Sequence, residues 1–334
     1  MSFDPYIQEM LVREAKAGDT KVEVKPTPAQ QAWMDLKFGM FVHFGINTFN
    51  DAEWSDGTLD PQTFTPTDFD ADQWCRAAKA AGIGYVMLVT KHHDGFCNWP
   101  SRWTEYSVKN TPFGRDVVGE LAEACRKHGL KLAFYYSLWD RNCPSYEHDH
   151  SYAIYMKRQL AELLTNYGPI VEIWFDGGWK KGGVDWQDDR RWHWLEIYEH
   201  IKTIQPDCLV GNNGTSGRSG EIITWPADFR IFEKKMPAED DKKIYYCGGI
   251  GDYLPGEVCH TLSAGTGRGM FAGGKWFWHE DDNSVREPQW VVDWLDQCNR
   301  RGANFVINAA PNNKGLLRDV DVDCLEQVGK IRGL

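Results

Sequence analysis

The chain has no surplus of positive charge: 37 Lys and Arg stand against 48 Asp and Glu, a formal net charge of −11 over 334 residues. Phosphate backbones and anionic membranes are met by clustered basic side chains, so nucleic-acid and membrane-surface partners are not expected. No apolar run approaches the ~18 residues of a membrane-crossing helix. The opening Met1-Ser2-Phe3-Asp4-Pro5 has neither the basic nor the apolar region of a secretory leader. The chain as it stands reads as cytoplasmic, or as secreted or periplasmic if a leader has been removed. Nine cysteines, at 75, 97, 125, 143, 208, 247, 259, 298 and 324, are odd in number and contain no CxxC pair, which leaves neither a disulfide framework nor a cysteine zinc site. No GxGxxG follows the first expected strand, which removes the signature of a dinucleotide-binding open sheet.

What is present is an ordinary globular composition, 42% hydrophobic and 25% charged, with 16 Trp, 13 Tyr and 16 Phe. That aromatic share packs cores and also suits stacking on sugar faces. Residues 1–30 are polar and end in Lys25-Pro26-Thr27-Pro28, and they read as an N-terminal arm ahead of a short helix over 29–36. A buried strand over 37–45 follows. Then come a helix over 67–81, a strand over 85–90, a helix over 116–128 closed by Gly129, a strand over 131–137, a helix over 151–167 and a strand over 170–176. A helix over 188–204 and a strand over 208–212 continue the pattern, which blurs between 221 and 250. It resumes with a strand over 257–263, a Gly-rich loop over 265–274, a helix over 289–301, the strand 303–308 and a last helix. Strand then helix, repeated about eight times without a change of composition, predicts a single (β/α)8 TIM-like barrel over 31–334.

The strand Ile173-Trp174-Phe175-Asp176, stopped by Gly177-Gly178, leaves a carboxylate at its last position. In a parallel α/β protein the C-terminal strand ends open on the active-site face, so Asp176 reads as catalytic; the plainer alternative is a helix cap. Strand alternation puts Trp174 on the same side. His43, the pair His92 and His93, Tyr135 and Asn212 fall at the ends of other predicted strands. Together they describe a neutral, hydrogen-bonding pocket with aromatic walls, suited to the hydroxyls of a small ring. His43 and His92 could also ligate zinc, but the HxH spacing of metal-dependent barrels is missing and no metal is expected.

The motifs Phe38-Gly39-Met40-Phe41-Val42-His43-Phe44-Gly45, Lys91-His92-His93-Asp94-Gly95-Phe96, Tyr135-Tyr136-Ser137 and Ile173-Trp174-Phe175-Asp176-Gly177 occur in that order. With the closing piece 304–315 they resemble the α-L-fucosidases of glycoside hydrolase family 29, from about Trp33 to the end. The resemblance implies an exo-acting, retaining hydrolase of terminal α-L-fucosides that needs no cofactor and acts on fucosylated oligosaccharides or glycoconjugates, with a homo-oligomer allowed. It makes Asp176 the nucleophile and His43, His92, His93, Tyr135 and Trp174 sugar contacts, with Glu53 and Trp54 added from the first loop.

For the acid/base the resemblance offers two positions. Asp228-Phe229-Arg230-Ile231-Phe232-Glu233 resembles one branch's Asp-Phe-x-Thr-Pro-Glu motif, with Ile231-Phe232 in place of Thr-Pro, and puts Glu233 first. The spacing of Glu221 from Asp176 resembles the other branch and puts Glu221 second. Glu53-Trp54-Ser55-Asp56-Gly57 and Trp139-Asp140-Arg141-Asn142 look like the branch that prefers α-1,3 or α-1,4 linked fucose, while the region after Asp176 does not. The β-sandwich that usually follows the barrel in this family is expected to be absent, since the chain stops soon after the last helix. Two other readings stand beside this one: a fucose-binding barrel without catalysis, and a metal-dependent barrel hydrolase.

Overall fold

The structure, a computed structural model, describes residues 23–178, 189–214, 216–247, 250–265 and 273–334. Eight parallel strands form one near-closed sheet: β1 (Phe38–Val42), β2 (Tyr85–Lys91), β3 (Lys131–Ser137), β4 (Ile170–Asp176), β5 (Leu209–Asn212), β6 (Arg230–Glu233), β9 (Gly256–Thr261) and β10 (Ala303–Asn308). They run in the order β5-β4-β3-β2-β1-β10-β9-β6. Between β5 and β6 the seam is bridged through Asp228. Its N–H donates to the Val210 carbonyl at 2.8 Å, and its Oδ2 accepts the Val210 N–H at 2.8 Å. A carboxylate thus takes the place of a ladder carbonyl where the strands part, and the barrel wall continues. The chain folds as the expected (β/α)8 barrel.

Each strand is buried on both faces, as parallel sheets require. Phe41, Met87, Val89, Tyr135, Trp174 and Val306 fill the barrel interior. Their neighbours in sequence, such as Val42, Leu88, Phe134, Phe175 and Ile307, pack outward against the helices. This period of two decides which strand-end residues can meet at the mouth.

The helix layer includes α1 (Pro28–Met34), α2 (Ala71–Ala80), α3 (Val117–His128), α4 (Asp149–Asn166), α5 (Trp194–Ile204), α6 (Pro288–Arg300) and α7 (Asp319–Ile331). Two boundaries are set by caps. The Asp70 carboxylate accepts from the Gln73 N–H at 3.1 Å, so α2 starts after it and not at Thr67 as expected. Asp116, expected as the first helical residue, instead caps α3, while Gly129, at φ 64°, closes its other end as the sequence predicts. The helix expected over 188–204 is split: a 3-10 turn, Asp189–Trp192, is separated from α5 by His193 at φ 48°.

The repetition is also less complete than expected. Among the described residues no α-helix lies between β5 and β9; an antiparallel hairpin, β7 (Ile244–Cys247) with β8 (Ile250–Tyr253), occupies part of that span. This is the stretch where the sequence shows no 3.6-residue period.

Helix α1 closes the far end of the barrel. Thr27 and Gln30 form a capping box, Gln30 Nε2 donates to the carbonyls of Asp228 and Tyr253, and the Trp33 indole enters the barrel to donate to Glu172 Oε2 at 2.6 Å. There Tyr85 donates to Glu257 Oε1 at 2.5 Å, and burial together with the charge of Glu257 raises Glu172 well above its ordinary value. Oxygens Oε1 of Glu172 and Oε2 of Glu257 have no hydrogen-bond partner among the described residues, a demand that one proton shared between the two carboxyls would satisfy. Of the predicted arm, 1–22 lie outside the described residues, as does most of the Gly-rich stretch 265–274.

Candidate active site

The interior parity of each strand carries one polar side chain to the C-terminal mouth. Trp174 and Asp176 follow Glu172 on β4, Glu233 follows Ile231 on β6, and Asn308 follows Val306 on β10. His43 lies one residue past β1, and His92 and His93 follow β2 across a register shift between Val89 and Lys91.

Tyr135 Oη donates to Asp176 Oδ2 at 2.9 Å, and His93 Nε2 stands 3.7 Å from the same oxygen. The His92 and His93 rings are 4.1 Å apart, and His92 is 6.0 Å from His43 and 5.7 Å from Tyr135. Trp174 stacks under Tyr135 at 5.4 Å and meets Phe41 edge-on, so it forms the floor. Trp54, 40% exposed, stands over His93 at 5.6 Å on the rim. Glu53 is buried and accepts the Trp276 N–H on both oxygens, at 3.0 and 3.1 Å. That contact brings a further wall: Trp276 lies 5.1 Å from His43, and Phe277 lies 5.3 Å from His43 and 5.0 Å from His92.

The residues predicted for the sugar pocket, Asn212 excepted, are therefore gathered at one mouth, and so is Glu233. Asn213 Nδ2 donates to Asp176 Oδ1 at 3.2 Å and to Glu233 Oε2 at 2.8 Å. Glu221 is not part of this arrangement. It is exposed and paired with Arg218 at 2.5 Å, a surface ion pair three residues away in sequence.

Two residues escaped the sequence reading. Asn212 was the expected strand-end residue, but its parity is that of outward-facing Val210, and its amide meets Thr224 at 3.4 Å. Asn213 shares parity with interior Leu209 and so reaches the carboxylates; counting by two from Leu209 would have found it. Asn308 was read as strand only. Its Nδ2 donates to the Trp276 carbonyl at 2.8 Å and its Oδ1 accepts from His43 Nδ1 at 2.7 Å.

These partners settle the histidine tautomers. Because Asn308 Oδ1 can only accept, His43 carries its proton on Nδ1 and presents a lone pair at Nε2. Ser137 Oγ donates to the Trp139 carbonyl at 2.7 Å, so it accepts from His93 Nδ1, and Nε2 of His93 is likewise an acceptor. Burial, with smaller contributions from nearby cations, pushes both rings down to about 3 and keeps them neutral. His92 is held well below its ordinary value by burial, and its Nδ1 has no partner among the described residues. The pocket thus offers lone pairs in place of cations, which suits a ligand rich in hydroxyl donors.

The two carboxyls titrate as a pair. Burial first, and the neighbouring Glu233 charge second, push Asp176 up to about 7, while donors from Gly177, Tyr135 and Asn213 pull the other way. Glu233 is raised by burial against Asn213 and the Lys234 cation. Since three donors converge on Asp176, a single proton in the pair belongs on Glu233, and its presence there removes the repulsion that raises Asp176.

The turn after His93 is locked from behind. Lys91, fully buried, donates to Asp140 Oδ2 at 2.9 Å and to the hydroxyls of Tyr136 and Tyr152. Gly95 has φ 88°, and a Cβ there would sit 2.2 Å from Asp140 Oδ1, so no side chain fits. Among the described residues one group, Asp51, His279 and Asp281, brings three possible metal-ligand atoms together. His279 Nδ1 already meets Asp51 at 2.7 Å, and Asp281 is held by Lys275 at 3.0 Å. The eight cysteines whose side chains are described are free thiols.

A family model for alpha-L-fucosidase matches residues 58–331. Alpha-L-fucosidase 1 of Arabidopsis thaliana is 33% identical over 326 residues, covering 92% of this chain and 60% of that protein. Tissue alpha-L-fucosidase of Bos taurus is 32% identical over 350 residues, covering 92% of this chain and 68% of that protein. A crystal structure of a glycoside hydrolase 29 family member from an unknown rumen bacterium superposes with a TM-score of 0.79 at 34% identity, over 93% of this chain and 57% of the other. The chain thus spans about 60% of the length of its Arabidopsis relative.

Proposed function

The chain belongs to the alpha-L-fucosidase family, and on that premise we propose that it is an exo-acting, retaining α-L-fucosidase that releases terminal α-L-fucose from oligosaccharides or glycoconjugates. The observation that carries this reading is the single amide of Asn213 spanning Asp176 and Glu233. Laid end to end, those two hydrogen bonds hold the bridged oxygens within about 6 Å. Retaining glycosidases keep their carboxyls ~5–5.5 Å apart, whereas inverting ones need ~6.5–9.5 Å to admit a water.

In the first step Asp176 attacks the anomeric carbon while Glu233 gives its proton to the departing glycosidic oxygen. The C–O bond to the aglycone breaks and a fucosyl ester forms on Asp176. Glu233, now a carboxylate, takes a proton from water, which opens the ester and restores both groups. His43 and His93 accept from ring hydroxyls through Nε2, His92 offers its Nδ1, and Phe277, Trp276 and Trp54 present apolar faces. A fucose-binding barrel without catalysis would not need two carboxyls held by a common donor. Turnover of 4-nitrophenyl α-L-fucoside, with the first-formed sugar read by proton NMR, tests the reading: the α anomer is expected, and the β anomer or no hydrolysis would overturn it.

A further inference from the structure

His279 has a carboxylate at each ring nitrogen: Nδ1 lies 2.7 Å from Asp51 Oδ1 and Nε2 lies 3.1 Å from Glu53 Oε1. A neutral imidazole has one N–H and can satisfy only one of them, whereas imidazolium satisfies both. Glu53 in turn holds the Trp276 N–H, and the Trp276 carbonyl is held by Asn308, the residue that also fixes His43. The pocket wall of Trp276 and Phe277 is therefore tied at one end to a barrel strand and at the other, through Glu53, to His279.

We propose that His279, as the imidazolium between Asp51 and Glu53, is a positioning residue: it fixes Glu53 and the Trp276–Phe277 wall and thereby sets sugar affinity, which makes that affinity fall at alkaline pH. The inference rests on the hydrolase reading above for the identity of the sugar.

The charged surroundings fit. Burial alone would lower His279, yet the hydrogen bond and charge of Glu53, with Asp51 behind them, raise it above its ordinary value against Lys275. Lys275 is itself engaged by Asp281 at 3.0 Å. The small cavity beside the ring is also lined by Asp282, Arg318 and Asp321. Arg318 and Asp321 neutralise each other in a two-pronged pair, and Asp282 accepts from Ser263 and Ser284. The carboxylates left for His279 to serve are Asp51 and Glu53. Once the imidazolium loses its proton, one of them faces a lone pair, and the Glu53 side of the wall is released.

The test follows KM and kcat for 4-nitrophenyl α-L-fucoside from neutral to alkaline pH in the full chain, its His279→Gln variant and its Asp51→Asn variant. In the unmodified chain KM is expected to rise on the alkaline side. In His279→Gln it is raised about tenfold at neutral pH with kcat within about threefold, and that alkaline rise is gone. Asp51→Asn, on an exposed side chain outside the pocket, removes one support of the imidazolium and moves the rise to lower pH. Calorimetric affinity for L-fucose follows the same pattern without needing turnover, so loss of hydrolysis alone would count against the hydrolase reading and not against this one. An unchanged affinity in His279→Gln, or an alkaline rise that persists in it or stays fixed in Asp51→Asn, would overturn the proposal.

Discussion

Asp176 and Glu233 share one donor, the side-chain amide of Asn213, which lies 3.2 Å from the first and 2.8 Å from the second. Its hydrogen bonds pull both carboxyls down against burial. Asn213→Ala is therefore expected to raise both, moving the acid limb of kcat/KM to higher pH and lowering kcat by about one to two orders of magnitude, that is ~1.4–2.7 kcal/mol. A pH profile that keeps its limbs would contradict the bridging role.

Glu233→Ala and Glu221→Ala separate the two candidate acids. Glu233→Ala is expected to lose about a thousandfold, roughly 4 kcal/mol, on substrates with poor leaving groups, and to recover turnover of activated aryl fucosides with azide. Glu221 sits in an exposed ion pair with Arg218, so its removal should leave kcat/KM within about threefold. Azide rescue appearing in Glu221→Ala and not in Glu233→Ala would reverse the assignment.

How much of this site the sequence discloses follows from what each residue answers to. Trp174 and Asp176 are legible because one strand's alternation fixes both. Asn213 is harder to see because the expected strand stops at Asn212, whose parity is outward; yet its N–H still donates to the Phe175 carbonyl of β4 at 2.8 Å, and only the count by two from Leu209 brings it inward. The motif ranks Glu233 ahead of Glu221, and the fold separates them, one carried inward by the parity of Ile231 and the other left beside Arg218. His279 is invisible for the same reason: its two partners, Asp51 and Glu53, come from a loop more than two hundred residues away in sequence. The barrel is readable from its periodic strands and helices; what departs from the sequence pattern is the start of the helix at 67, moved by the Asp70 cap, the helix at 188, split by the turn at His193, and the span between β5 and β9, where a hairpin carries no helical period.

The buried Lys91–Asp140 pair gives a stability prediction. Replacing Lys91 by Met leaves Asp140 as an uncompensated charge in the core, and a loss of roughly 3–5 kcal/mol is expected in denaturant unfolding. A loss below about 1 kcal/mol would place the pair among weak surface bridges.

Below the site, burial raises Glu257 from 4.5 to about 7. The native state therefore keeps a proton that the unfolded chain releases above about pH 4.5. The stability of the native state is unpenalised below that pH and falls as pH rises toward 7, by on the order of 3 kcal/mol. Glu257→Gln, which still accepts from Tyr85 and can donate to Glu172, should stabilise the protein at neutral pH and give no gain near pH 4. A stability difference that does not vary with pH would exclude the shared proton.

The central claim is that Asp176 is the nucleophile, and covalent trapping tests it most directly. Glu233→Ala mixed with 2,4-dinitrophenyl α-L-fucoside should accumulate an ester, because the good leaving group departs without an acid while hydrolysis lacks its base. Peptide mass mapping of the quenched protein is expected to find one fucosyl group on the peptide that carries Asp176, and none in Asp176→Ala. A fucosyl group on any other residue, or turnover that persists in Asp176→Ala, would contradict the account.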